Sequence, residues 1–335
     1  MALPVGTAAK PYTRSVDTAD ITQTISLFCV VGLPIIGLLF GSFLNVCISR
    51  LPQHQSVVHP RSKCPQCGAT IRWHDNIPIL SWLILRARCR DCAAPIPWRY
   101  PVVELAVATW FLQTGISIAR TLSFHVGPSR DLTGWYMNLG IEEIGLLILG
   151  FLLIGLMVMD WQTMTLPDSF TLGGIAIALF LVCTQAIFLG PNEGQIVLSN
   201  HHIQLTSPGG VTDHGNLFFT GPENLIFGRI AAVCGAALLL LLIRWAYRAL
   251  RHREGMGLGD VKLLAMIAAF LGFWPAILSL FLGTLAAAVY GAMLLARGRA
   301  GATSRLAFGS FLCIGGLVSA LFGNHLINMY IALLR

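Results

Sequence analysis

Residues 255–273 read GMGLGDVKLLAMIAAFLGF: one carboxylate, Asp260, stands behind Gly255, Gly257 and Gly259 and ahead of an apolar run, Val261 to Phe273, in a chain otherwise poor in charge. Glycine lets a backbone turn tightly and lets a neighbour come close. An ionisable group at the edge of a membrane span calls for a functional reason. Taken alone, the stretch reads equally well as a helix start with a capping aspartate after a glycine turn. The surrounding composition and a second carboxylate have to decide between the two.

The composition is 55% hydrophobic and only 11% charged, with a mean hydropathy of +0.72, whereas a soluble domain carries roughly 25% charged residues. That excludes an ordinary soluble globular chain and predicts an all-α polytopic membrane protein of about eight transmembrane helices. The first apolar stretch, Ile21 to Val46, lies within a first span assigned to 21–48 and contains Pro34 and glycines, which membrane helices tolerate. Further spans are expected near Pro101 to Ile118, Ile144 to Met159, Phe170 to Leu189, Leu225 to Tyr247, Val261 to Phe273, Pro275 to Leu295 and Phe308 to Leu326. Several are shorter than the roughly 20 residues a straight span needs, Val261 to Phe273 most of all. The polar segment 1–20 has no apolar core, so no cleavable signal peptide is expected. Between spans, residues 49–100 form a polar insert, residues 101–335 a transmembrane domain, and residues 190–224 a long polar loop.

The formal charge of +7 has a topological explanation that requires no nucleic acid. Residues 49–99 hold eight Arg and Lys, residues 243–262 five, and residues 296–306 three, which places sixteen of the 22 on one side of an eight-span chain. By the positive-inside rule that side is cytoplasmic. Asp260 and the connection Asp160 to Asp168 then face the cytoplasm, and loop 190–224 lies outside. That outer loop carries Glu193, His201, His202, Asp213 and His214 without ligand pairs at a recognised metal spacing, so it reads as a solvated loop.

Within the insert, Cys64-Pro65-Gln66-Cys67 is followed by Cys89-Arg90-Asp91-Cys92. Two such knuckles supply the four thiolates of a tetrahedral structural zinc site. Two disulfides fit poorly with a cytoplasmic address, and redox pairs lack a βαβ setting. Because four thiolates close the shell, zinc held by Cys64, Cys67, Cys89 and Cys92 is structural. Cys29, Cys47, Cys183, Cys234 and Cys313 lie in or near apolar runs and read as packing residues. The aromatic stretch between the knuckles, from Trp73 to Leu83, suits a membrane interface.

The second carboxylate is Asp160, in Leu156-Met157-Val158-Met159-Asp160-Trp161, at the end of its span. A lone buried charge there is costly unless paired or protonated. Asp168 follows Pro167 and reads as a helix cap or supporting residue. Two aspartates on one membrane face suggest a pair sharing a proton, able to activate water and protonate a departing amine. In that reading Asp160, at a helix C-terminus, starts as the acid, Asp260, at an N-terminus, as the anion, and Gly257 and Gly259 let the two approach. The alternatives are a proton- or ion-coupled transporter using the same aspartates and a zinc-bearing scaffold without catalysis. A transporter is expected to show internal repeats and midplane sites, and neither is visible.

Taken in order, GSFLNVCISRLP (41–52), the CPQC and CRDC knuckles around WHDNIPILSWL, RYPVVEL (99–105), the segment from Asp160 to Leu166-Pro167-Asp168, GMGLGDVKLLAM (255–266) and LAFGSFL (306–312) resemble the type IV prepilin peptidases. These are bifunctional leader peptidases and N-methyltransferases of pilus and type II secretion systems. The resemblance implies that Asp160 and Asp260 are an aspartic protease pair in the bacterial cytoplasmic (inner) membrane. It further implies that prepilins or pseudopilins are cut after the leader glycine at the cytoplasmic face, and that S-adenosylmethionine then methylates the new N-terminus. Two departures stand out. The last-helix motif, usually PFGPFL, is here Ala307-Phe308-Gly309-Ser310-Phe311-Leu312, and Ala87 replaces a common glycine beside the second knuckle. No glycine-rich cofactor fingerprint is present, which leaves the S-adenosylmethionine residues unassigned. Glu104, Arg99 and Arg50 read as substrate or cofactor contacts or as interface anchors.

Overall fold

The computed structural model describes residues 18–59, 61–124, 132–188, 197–199, 202–204, 222–251, 256–298 and 306–334. Residues 1–17 and most of loop 190–224, including Glu193, His201, Asp213 and His214, lie outside the described residues. Within that loop an antiparallel hairpin pairs β1 (Val197–Ser199) with β2 (His202–Gln204). Outside the largely irregular insert and the short connections, the rest of the described chain is helical.

Helix α1 (Thr18–Leu27) runs through a π-helical turn, Phe28–Gly32, into α2 (Leu33–Arg50). Pro34, which has no N–H to donate, follows closely on that π-helical turn. After the insert come α4 (Arg99–Phe124), α5 (Leu132–Thr163), α6 (Asp168–Phe188), α7 (Pro222–Arg251), α8 (Leu258–Leu271), α9 (Phe273–Ala296) and α10 (Phe308–Leu334). The insert itself contains the short helix α3 (Leu80–Ile84) and 3-10 turns at Leu51–Gln53 and Trp73–Asn76. Seven helical stretches among the described residues are long and apolar enough to cross a membrane. Large apolar side chains such as Phe180, Ile187 and Leu242 are exposed, as expected where lipid replaces water.

Helix α8 departs from the expected pattern. With 14 residues it is about 21 Å long at 1.5 Å per residue, too short for a lipid-facing span. It nevertheless passes through the bundle. Its first turn meets Leu166 of the α5–α6 connection, and Gly272, at its far end, lies against the Arg229 guanidinium near the start of α7. Every residue from Asp260 to Ala269 except Lys262 is buried. A helix sheathed by other helices never meets lipid, so bilayer thickness does not set its length.

Contacts between helix ends show which of them lie together. Asn45 of α2 bonds the Tyr100 carbonyl of α4 at 3.0 Å, and Arg99 reaches Gln162 of α5 at 2.6 Å. Trp161 of α5, Tyr290 of α9 and Phe311 of α10 form an aromatic cluster with ring centroids 5.4 to 6.3 Å apart. The insert, the end of α5, the starts of α4, α8 and α10, and the end of α9 with Arg297 therefore share one end of the bundle.

Candidate active site and metal centre

Asp160 and Asp260 are 5% and 9% exposed. Asp160 lies one turn from the end of α5, and Asp260 lies in the first turn of α8. They stand a hundred positions apart in sequence, yet the Leu166 side chain lies against both Gly259, next to Asp260, and Gly309, which abuts Asp160.

The surroundings of Asp160 come from α10. Its Oδ2 accepts the Ser310 backbone N–H at 2.7 Å and the Ser310 hydroxyl at 3.0 Å. The same hydroxyl lies 2.9 Å from the Met157 carbonyl. Gly309 makes this approach possible: a Cβ there would sit 3.0 Å from Asp160 Oδ2 and 3.1 Å from Leu166, tighter than ordinary van der Waals contact. In the sequence Ser310 stands out only as a departure from a family motif. The signal that could have found it is a donor-bearing residue at the start of a helix, where N–H groups lack intrahelical partners.

Asp260 also fulfils the simple capping reading. Its Oδ2 accepts the Gly257 N–H at 3.2 Å, satisfying an orphan donor at the start of α8. Gly259 packs tightly on Leu166, where an added Cβ would stand 3.1 Å from the leucine side chain. Leu166 thus fills the space between the α8 and α10 glycines. Asp168 is placed differently: its exposed Oδ1 pairs with Lys262 Nζ at 2.6 Å, tying the start of α6 to α8.

In the insert the two knuckles are near copies. Cys64 N–H bonds the Ala69 carbonyl at 2.9 Å, and Cys89 N–H bonds that of Ala94 at 2.8 Å. Gly68 and Ala93 occupy equivalent left-handed positions, with φ of 72° and 56°. All four ligand sulfurs lie within 4.8 Å of one another, and Cys64 and Cys92 Sγ are 3.8 Å apart. Zinc–sulfur bonds of about 2.3 Å in a tetrahedron require a sulfur–sulfur edge of about 3.8 Å, so the donor set fits zinc. The Cys67 and Gln66 backbone N–H groups hold the Cys64 thiol down to about 7. At Cys92 the Ala94 N–H pulls the thiol down, but desolvation and the adjacent sulfurs outweigh it and push it up to about 12. Four crowded sulfurs resist joint ionisation unless a cation sits among them. Bound there, zinc would staple the knuckles together.

Asp75 links the intervening segment to the second knuckle through two bonds from Arg90, at 2.8 and 2.5 Å. The Arg90 guanidinium holds its carboxyl below the usual carboxylate range.

Comparison with known proteins places this arrangement. Residues 35–118 match the bacterial peptidase A24 N-terminal domain, and residues 147–292 match the type IV leader peptidase family. A prepilin leader peptidase/N-methyltransferase of Aeromonas hydrophila is 31% identical over 88% of this chain and 91% of its own length. The chain belongs to the type IV leader peptidase family. A protein of the same name from Myxococcus xanthus is 36% identical over 81% of this chain, which spans 65% of that longer relative. One from Pseudomonas aeruginosa is 29% identical over 89% of this chain and 91% of its own. No solved structure matches the chain significantly.

The leader peptidase resemblance noted a common glycine at position 87. Ala87 has a φ of 56°, a left-handed conformation in which glycine is unstrained, which accounts for that preference. Both family matches fall on the parts described above, the insert with α2 and α4 and the helices from α5 to α9.

Proposed function

We propose that this chain is a prepilin leader peptidase and N-methyltransferase of a bacterial inner membrane, with Asp160 and Asp260 as its peptidase pair. The observation that carries the peptidase reading is the burial of these two carboxylates, from helices distant in sequence, at one end of the bundle, where Leu166 packs against both Gly259 beside Asp260 and the Gly309 that abuts Asp160. Two close carboxylates do not both ionise readily, so one holds a proton and the other does not. The ionised carboxylate takes a proton from water, whose oxygen attacks the scissile carbonyl. The protonated one gives its proton to the departing amine, and the carbon–nitrogen bond breaks. Family membership and the names of the relatives support prepilins or pseudopilins as substrates and S-adenosylmethionine as methyl donor.

The arginine and lysine bias supports a cytoplasmic location for this end of the bundle, with 49–100 as the zinc-binding insert, 101–335 as the protease domain, and Gly257, Gly259 and Asp168 as supporting residues. The test is to incubate the purified full chain with a prepilin and S-adenosylmethionine and weigh the products by mass spectrometry. Wild type is expected to release the leader and add 14 Da, while Asp160→Asn and Asp260→Asn each leave the prepilin intact with unchanged helicity. Full cleavage by either variant removes the pair from the mechanism.

A further inference from the structure

A cavity of about 310 Å³ lies between the insert and the ends of α2 and α4, within the size range of small-molecule sites. Three features of its wall are unusual. Glu104, 7% exposed, points its carboxylate at the Ile79 N–H, which it accepts at 2.7 Å, and also accepts the Ser42 hydroxyl. Asn45, 2% exposed, donates its amide to the Tyr100 carbonyl, while its Oδ1 is buried with no partner. Ile79 stands at φ 58° and ψ −49°, a conformation a β-branched residue adopts only when its surroundings enforce it. What that conformation achieves is to hold the Ile79 N–H against Glu104.

A carboxylate accepts about four hydrogen bonds, and these contacts occupy two. The open valences of Glu104 and Asn45 are therefore all acceptors, one of them on a charged group, and a buried acceptor without a donor is costly. The complementary ligand brings N–H donors and positive charge. Two oxygen donors are far fewer than magnesium or calcium requires, whereas an ammonium with three N–H bonds matches them. Lys63 and Arg72, on the insert side of the cavity, suit an anionic group on a second ligand. The Arg99–Gln162 bond at 2.6 Å ties the start of α4, which carries Tyr100 and Glu104, to the end of α5 that carries Asp160.

We propose that this cavity is the methyl-transfer site: it takes the amino terminus freed by cleavage, with Asn45 Oδ1 orienting the ammonium and Glu104 acting as its general base beside a sulfonium methyl donor. The inference rests on the methyl-transfer half of the proposed function. The ammonium passes one proton to the Glu104 carboxylate, and the freed nitrogen lone pair attacks the methyl carbon. The carbon–sulfur bond breaks, its electron pair stays on sulfur, and the sulfonium becomes a neutral thioether. The product is a secondary ammonium, and Glu104 returns its proton to solvent.

The experiment uses the full-length protein, S-adenosylmethionine and a peptide that already bears the mature amino terminus, so that methyl transfer is read independently of cleavage. Prepilin cleavage is measured in parallel. Glu104→Gln is expected to lower kcat for methyl transfer at least a hundredfold, the scale of a lost general base, with KM for S-adenosylmethionine within about twofold of wild type. Methyl transfer within threefold of wild type overturns the inference, as does an unchanged kcat with a raised KM, which would place Glu104 on the donor instead. Wild type that cleaves prepilin but never methylates the peptide overturns it too, and leaves the peptidase reading standing. Wild type that methylates without cleaving sinks the peptidase reading alone, and the variant still decides the role of Glu104. If Glu104→Gln unfolds, as read by its thermal midpoint, Glu104→Asp decides: at least a tenfold loss of methyl transfer supports the base role and wild-type transfer overturns it.

Discussion

Replacing Ser310 by alanine probes how Asp160 is held. The Ser310 hydroxyl carries one proton but faces two acceptors, the Met157 carbonyl at 2.9 Å and Asp160 Oδ2 at 3.0 Å, so it gives Asp160 only part of a hydrogen bond. The backbone N–H lies 2.7 Å from Asp160 Oδ2 and 3.2 Å from the Ala307 carbonyl, so it favours the carboxylate, and it survives the substitution. A side-chain bond shared in this way is worth about 1 kcal/mol, the middle of the range for a single hydrogen bond. If that amount is lost from the transition state alone, the cleavage rate falls about fivefold, since about 1.4 kcal/mol corresponds to tenfold. Ser310→Thr keeps the hydroxyl and is expected to stay within twofold of wild type, a narrower margin than the roughly fivefold loss. The assay is the initial rate of prepilin cleavage by purified protein at fixed pH, with the thermal midpoint as the control for folding. A rate for Ser310→Ala equal to wild type would mean that the hydroxyl is idle. A loss as complete as that of Asp160→Asn would mean that the N–H contributes nothing. Either result refutes this account of how Asp160 is positioned.

The insert yields two further predictions. Gly68 and Ala93 hold equivalent left-handed positions, so Gly68→Ala should lower the stability of the insert by about 1 kcal/mol, the strain of a Cβ in that region. Ala93→Gly should raise it by about 0.5 kcal/mol, strain relief less the extra entropy of glycine; both are read from protection of residues 49–99 against trypsin, and shifts of the same sign in the two variants, or no shift in either, would refute the equivalence. Asp75 is held below its ordinary range chiefly by Arg90, and a depressed carboxyl stabilises the fold above its unfolded value of about 4 and loses that contribution as pH falls through the folded value. Arg90→Gln should therefore lower the thermal midpoint at neutral pH, with the gap to wild type closing below about pH 4; a gap independent of pH would assign the effect to packing.

Much of this molecule was legible in the sequence because its physical causes are local. Long apolar runs specify membrane helices wherever they occur, since backbone polar groups in lipid must be satisfied within the segment. Two CxxC knuckles specify a four-sulfur cluster because each tight turn presents two sulfurs together. The motif order was sufficient to suggest the family, which the comparisons then showed. The same local reasoning underestimated α8, because span length was judged against lipid while Val261 and Leu263 to Ala269 are buried among other helices.

What only the tertiary structure decided is which residues meet. Nothing within residues 306–312 says that Ser310 will hold Asp160, or that Gly309, more than the glycines before Asp260, is the one pressed against the Asp160 carboxylate. Asp168, which reads in the sequence as a helix cap or supporting residue, bonds Lys262 at the surface. Glu104 reads in the sequence as a substrate or cofactor contact or an interface anchor, and Asn45 and Ile79 have no distinct role there, until α2, α4 and the insert pack all three around one cavity. The physical reason is the same in each case. Composition and spacing fix what a segment does with its own backbone and its solvent, whereas a buried carboxylate takes its donors from whichever helix end the packing delivers.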